Sequence, residues 1–140
     1  MYSSIRAAVA IGLLVIAGCG DNNGLVPVSG KVTLDGKPLA DAAVGFFADA
    51  GGTPAVGTTD AQGNFTLSTH KPGDGATEGQ NVVTVSKQSN LDAGKEVEES
   101  EIVRMKNESP IKYFSPKTSD IKVEVKYGME PVVIDLKSGK

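Results

Sequence analysis

Near the C-terminus, apolar residues recur at every second position. Ile121, Val123, Val125 and Tyr127 share one parity, and Lys122, Glu124 and Lys126 take the other. A period of two sends successive side chains to opposite faces of an extended chain and fits no helix. The pattern returns after Gly128 and Pro131, with Val132, Ile134 and Leu136 set against Val133, Asp135 and Lys137. It also opens the patterned part of the chain, where Val26, Val28, Val32 and Leu34 alternate with Ser29, Lys31 and Thr33. Each stretch is expected to be a strand with one face on a core and one in water.

Turn chemistry separates further strands. Asp35-Gly36 is a strong hairpin signal, and Pro38 keeps the first strand from simply running on. Ala42 to Ala48, with Val44, Phe46 and Phe47, is a second strand, which Gly51-Gly52 ends. Val56 to Thr59 and Asn64 to Ser68 flank Asp60-Ala61-Gln62-Gly63 and predict a hairpin with Phe65 and Leu67 inward. Lys71 to Gly79, with Pro72-Gly73-Asp74-Gly75, predicts a loop, and Asn81 to Lys87 a strand. Gly30 suggests a bulge or a close backbone approach within the first strand. The count comes to about seven strands, which suits a small sandwich, as do the 17 Gly and the absence of Trp.

Residues 88–109 break the pattern. They are polar and charge-dense, with Glu96, Glu98, Glu99, Glu101, Arg104 and Lys106, and their apolar positions form no single stripe. This is read as an insertion before the last two strands, mobile or weakly helical, with an acidic docking segment as the functional alternative.

The first residues form a separate unit. Met1 to Arg6 is a short positive start, Ala7 to Ile16 an apolar run broken only by Gly12, and Ile16-Ala17-Gly18-Cys19 a small-residue end. That order marks a secretory signal, and the run is shorter than the roughly 20 residues of a lasting span. The end resembles the lipobox of bacterial lipoproteins. The resemblance implies cleavage between Gly18 and Cys19 and lipid on the Cys19 thiol. The chain then divides into a signal (1–18), lipidated Cys19 and a flexible tether (19–25), a domain (26–137) and a tail (138–140). Cys19 is the only cysteine, so the domain has neither a disulfide nor a cysteine-based zinc or thiol site. Without the signal, 13 basic residues face 17 acidic ones, a net −4 with no basic stripe, which argues against nucleic acid.

Several stretches together resemble carboxypeptidase regulatory-like domains. Val28-Ser29-Gly30-Lys31-Val32-Thr33-Leu34-Asp35-Gly36-Lys37-Pro38-Leu39 resembles their opening, and Ala42-Ala43-Val44-Gly45-Phe46 fits their second strand. Thr58-Thr59-Asp60-Ala61-Gln62-Gly63-Asn64-Phe65-Thr66-Leu67 resembles their hairpin. Pro110-Ile111-Lys112-Tyr113, with Ser115-Pro116 and Ser119, resembles a segment of planctomycete-type lipoproteins of this group. The resemblance spans about Val26 to Leu136. It implies an all-β, seven-stranded Greek-key β-sandwich of the transthyretin (prealbumin) type, a fold that serves accessory and adhesive roles in many proteins. Enzymes on this fold, the hydroxyisourate hydrolases, use several histidines and a characteristic C-terminal tail. Here His70 is alone and the chain ends Leu136-Lys137-Ser138-Gly139-Lys140.

No catalytic constellation stands out. His70 precedes a Pro-Gly loop with no nucleophile motif beside it. Asp60, Gln62 and Asn64 resemble a calcium loop only superficially, because Phe65 and Lys71 stand where it needs Gly and an acid. Neither a catalytic residue nor a metal or cofactor is expected. Tyr113-Phe114 are read as a plug anchoring the insertion, or else as an exposed aromatic binding surface. The expected function is that of an exported lipoprotein held to the inner or outer membrane through Cys19. Its non-catalytic sandwich is a structural or protein-interaction module of the envelope, with carbohydrate binding as the alternative.

Overall fold

Alternation becomes strand wherever turn residues permit. The computed structural model describes residues 24–91, 94 and 105–139. In chain order its strands are β1 (Leu25–Val26), β2 (Ser29–Leu34), β3 (Lys37–Pro38), β4 (Ala43–Ala48), β5 (Ala55–Thr58) and β6 (Asn64–Thr66). There follow β7 (Ala76–Thr77), β8 (Gly79–Ser86), β9 (Gln88–Asn90), β10 (Met105–Asn107), a 3₁₀ turn at Ile111–Tyr113, β11 (Lys122–Val125) and β12 (Val132–Leu136). The described chain is thus all-β.

One sheet has the order β11-β8-β4-β5, antiparallel throughout; the other runs β12-β2-β3, with β6 also on β2. The β12–β2 pair is parallel, Val132 lying beside Gly30 and Leu136 beside Leu34. Inward residues of both sheets share one core: Val32, Phe65, Ile134 and Leu136 from one side, Val44, Phe46, Val83, Val85 and Val125 from the other. Phe46 and Phe65 meet across it at 6.3 Å between ring centroids. Each fully buried Leu or Phe contributes about 1.5–3 kcal/mol relative to an exposed one. That makes the alternation the main determinant of which face turns inward.

Each stretch expected as strand holds one, but five details differ. Pro27 has no N–H to give, so the first strand splits into β1 and β2 there. The Asp60–Gly63 turn closes on itself, with the Asp60 carboxylate accepting the N–H groups of Gln62 and Asn64. Its arms nevertheless pair with different strands, β5 with β4 and β6 with β2, and only the Val56–Ser68 bridge joins them. The corner thus carries the chain from one sheet to the other. The loop of 71–79 contains β7, which pairs with β1. The two ends of the 88–109 insertion form a β-ribbon of β9 on β10, so Met105 and Lys106 are strand; 92–93 and 95–104 lie outside the described residues. Finally, Tyr127 is 79% exposed rather than inward, because β11 stops at Val125 and the chain turns. The described residues make twelve strand segments, five more than the alternation marks.

The two ends of the domain differ. β2, β12 and β8 all start at the end where β1 enters, beside the loops at 49–52, 69–75 and 126–131. The opposite end carries the Asp35-Gly36 turn, the Asp60 corner, the β9–β10 ribbon and the last residues.

Candidate functional site

Gly18 and Cys19, the expected cleavage and lipidation residues, lie outside the described residues. The nearest described position is Gly24, whose carbonyl accepts the Glu78 N–H at 3.0 Å, so the chain from Cys19 enters beside β7.

Tyr113 is 4% exposed and belongs to the core. The 3₁₀ turn places its ring there, and the Lys137 N–H points to its hydroxyl at 3.5 Å. Lys112 covers the ring with its ammonium 4.5 Å from the centroid and pairs with Asp120 at 3.6 Å. Phe114 is half-buried. The pair therefore offers no joint exposed aromatic surface, because packing between the sheets has taken the Tyr113 ring. His70 is exposed, and its backbone N–H donates to Asp74. Asp74 also accepts the N–H groups of Thr69 and Lys71. These bonds, that of Thr69 foremost, hold its carboxyl below the usual carboxylate range. This is a loop clamp.

At the opposite end the tail is latched to the first turn. Ser138 donates its N–H (3.0 Å) and its hydroxyl (2.5 Å) to the Asp35 carboxylate. Asp135 takes Lys137 Nζ at 2.7 Å and the Thr33 hydroxyl at 2.9 Å. The Ser138 hydrogen bonds hold the Asp35 carboxyl below the usual carboxylate range. Next to the latch lies an open groove of about 500 Å³ lined by Leu34, Pro110, Ile111, Lys112, Ser138 and Gly139. Among the described residues no group of three His, Cys, Asp or Glu side chains is placed to hold a metal. No described helix is long and apolar enough to cross a membrane.

One feature invisible in the sequence is the outer edge of β12. The Asp35 N–H donates to the Leu136 carbonyl, and the Lys137 N–H turns the other way, to Tyr113. In a parallel ladder alternate residues bond to the same neighbour. Ile134 and Leu136 therefore serve β2, while the backbone groups of Val133 and Asp135 point outward. β12 ends its sheet among the described strands, and the Val133 side chain on its outer face is 75% exposed. The parity of β12 is readable in the sequence; its pairing with β2 alone among the described strands is not.

No family model, curated protein or solved structure matches the chain.

Proposed function

We propose that this chain is an exported lipoprotein, cleaved before Cys19 and anchored through lipid on that residue. Its domain then acts without catalysis as a protein-interaction module of the cell envelope. In this reading the domain is a carboxypeptidase regulatory-like, transthyretin-type Greek-key sandwich. The observation that supports a protein partner most is the open edge of β12, whose outward N–H and C=O groups and exposed Val133 suit the addition of a partner's strand. Polar backbone groups supply the affinity in such pairing, so no pocket is required.

Carbohydrate binding is the second reading, favoured by the exposed ring of Tyr127. Co-sedimentation of the anchor-free Cys19→Ser protein with native envelope separates the two. Loss of binding after protease treatment of the envelope supports the protein partner, and loss after periodate supports the glycan. Binding to neither untreated nor treated envelope overturns both.

A further inference from the structure

The end of the domain where the tether enters carries an aromatic residue that the fold does not use. Val125 pairs with Gly79, and the Glu78 N–H reaches the Gly24 carbonyl, so the turn after β11 stands beside the tether's entry. In that turn the Met129 N–H donates to the Lys126 carbonyl at 3.2 Å, and Gly128 has φ +73°. A positive φ at the third residue marks a type II turn, with Tyr127 at its outer corner. Met129 tucks back against the core while Tyr127 remains 79% exposed. A polar residue would serve that corner equally well for folding.

The tether fixes what this corner meets. Gly20-Asp21-Asn22-Asn23 separate Cys19 from Gly24. Five Cα steps reach at most about 18 Å. The eight residues of β8 alone span about 26 Å. The tethered end therefore stays closer to the bilayer than the domain is tall. The exposed charges around it, Lys71 and Lys126 against Asp49, Glu78 and Glu130, make no basic patch. Contact at this end relies on the ring rather than on anionic lipid. A tyrosine, apolar in body and polar at its tip, suits the headgroup layer.

We propose that Tyr127 contacts the membrane: its ring sits in the headgroup layer of the bilayer holding Cys19, and the Asp35, ribbon and groove end points outward. The proposal rests on lipid anchoring at Cys19, and its test reads the two separately. The chain has no tryptophan, so Tyr127→Trp in the full lipidated protein is a sole tryptophan, excited selectively at the red edge where tyrosine does not absorb. On phosphatidylcholine vesicles, flotation reports the anchor and must be lost in Cys19→Ser. Trp emission, with and without headgroup-labelled quencher lipid, reports the orientation. Tyr127→Trp is expected to float, to emit at shorter wavelength than its Cys19→Ser counterpart in buffer, and to be quenched. Ile111→Trp, at the opposite end where Ile111 is 66% exposed, is expected to float equally and to show neither effect. A floating Tyr127→Trp protein with unshifted, unquenched emission overturns the contact and leaves the anchor standing. A wild type that does not float overturns the anchor and the contact with it. Should the Trp variant misfold, amide exchange in the wild type replaces it. Slower exchange at 126–129 in the vesicle-bound protein than in the Cys19→Ser protein supports the contact, and equal exchange rejects it.

Discussion

Replacing Gly30 by Ala reverses an ordinary expectation. Glycine inside a strand costs about 0.5–1 kcal/mol relative to alanine through its extra freedom in the unfolded chain, so relief of that cost alone stabilises. Gly30, however, is buried in β2 between two close neighbours. A Cβ there lies 2.7 Å from Phe65 Cζ, and the Val132 carbonyl oxygen is closer still. The ring has some freedom to swing. The oxygen belongs to the backbone of β12, and moving it disturbs the seating of Ile134 and Leu136 in the core.

Overpacking of this kind costs about 1–3 kcal/mol. After subtracting the glycine term, the net loss is about 1 kcal/mol. For a domain of this size that lowers Tm by about 4 °C, and it moves a urea midpoint down by about 0.5 M at unchanged slope. Circular dichroism under both perturbations reads it. Phe65→Leu added to Gly30→Ala recovers only part of the loss, because the Val132 oxygen remains. A rise in Tm for Gly30→Ala would refute the reasoning, since it would mean that backbone freedom outweighs the close approach.

Thr59→Val removes a buried hydroxyl that donates to the Leu39 carbonyl and accepts the Ala42 N–H; two orphaned groups cost about 2–4 kcal/mol in urea unfolding, and Thr59→Ser recovers most of it. Asp74→Asn destabilises at neutral pH. Because the folded carboxyl is held below its unfolded value, its contribution is present above the unfolded value near 3.8 and fades as pH falls through the folded one, so the wild-type and variant Tm curves converge in acid. Val133→Pro deletes an outward N–H and no ladder bond, so it leaves Tm within a few degrees and abolishes the envelope binding of the anchor-free Cys19→Ser protein; retained binding rejects β12 as the docking edge.

Where one side chain in two is apolar, the sequence shows strand and face together, because burial of a single face admits only one parity. Val32, Val125, Ile134 and Leu136 lie inward for that reason. Pairing partners are less visible. Asn64 to Thr66 looks like the returning arm of a hairpin, yet Phe65 settles over Gly30 on β2, a contact between residues 35 positions apart. β1 and β7 are two residues each, too short to show a period. Alternation also overruns: Tyr127 keeps the parity of Val125 past the end of the strand, and only the turn at Gly128 turns it outward. Tyr113 stands between Ile111-Lys112 and Phe114-Ser115, a mixed setting that leaves both plug and surface open until the core closes over it. The proposed anchor at Cys19 lies outside the described residues.

The docking edge and the membrane-facing end constrain each other. β12 runs parallel to β2, from the end where the tether enters toward the Asp35 turn. With Tyr127 at the headgroups, β12 points away from the bilayer and its free edge stands along the height of the domain. A strand adding antiparallel to it would run toward the membrane, and a parallel one away from it. Either partner has only the outward groups of Val133 and Asp135 to bond before Tyr113 takes the Lys137 N–H, so the added segment is about three to five residues long. So short an addition binds weakly by itself. Confinement of both proteins to one membrane raises their effective concentration and compensates. Val133→Pro should therefore abolish an interaction measured on the membrane, and the wild-type domain freed by Cys19→Ser should bind the same partner far less well. Equal binding with and without the anchor would mean that the edge suffices alone, and that the orientation set by Tyr127 has no part in recognition.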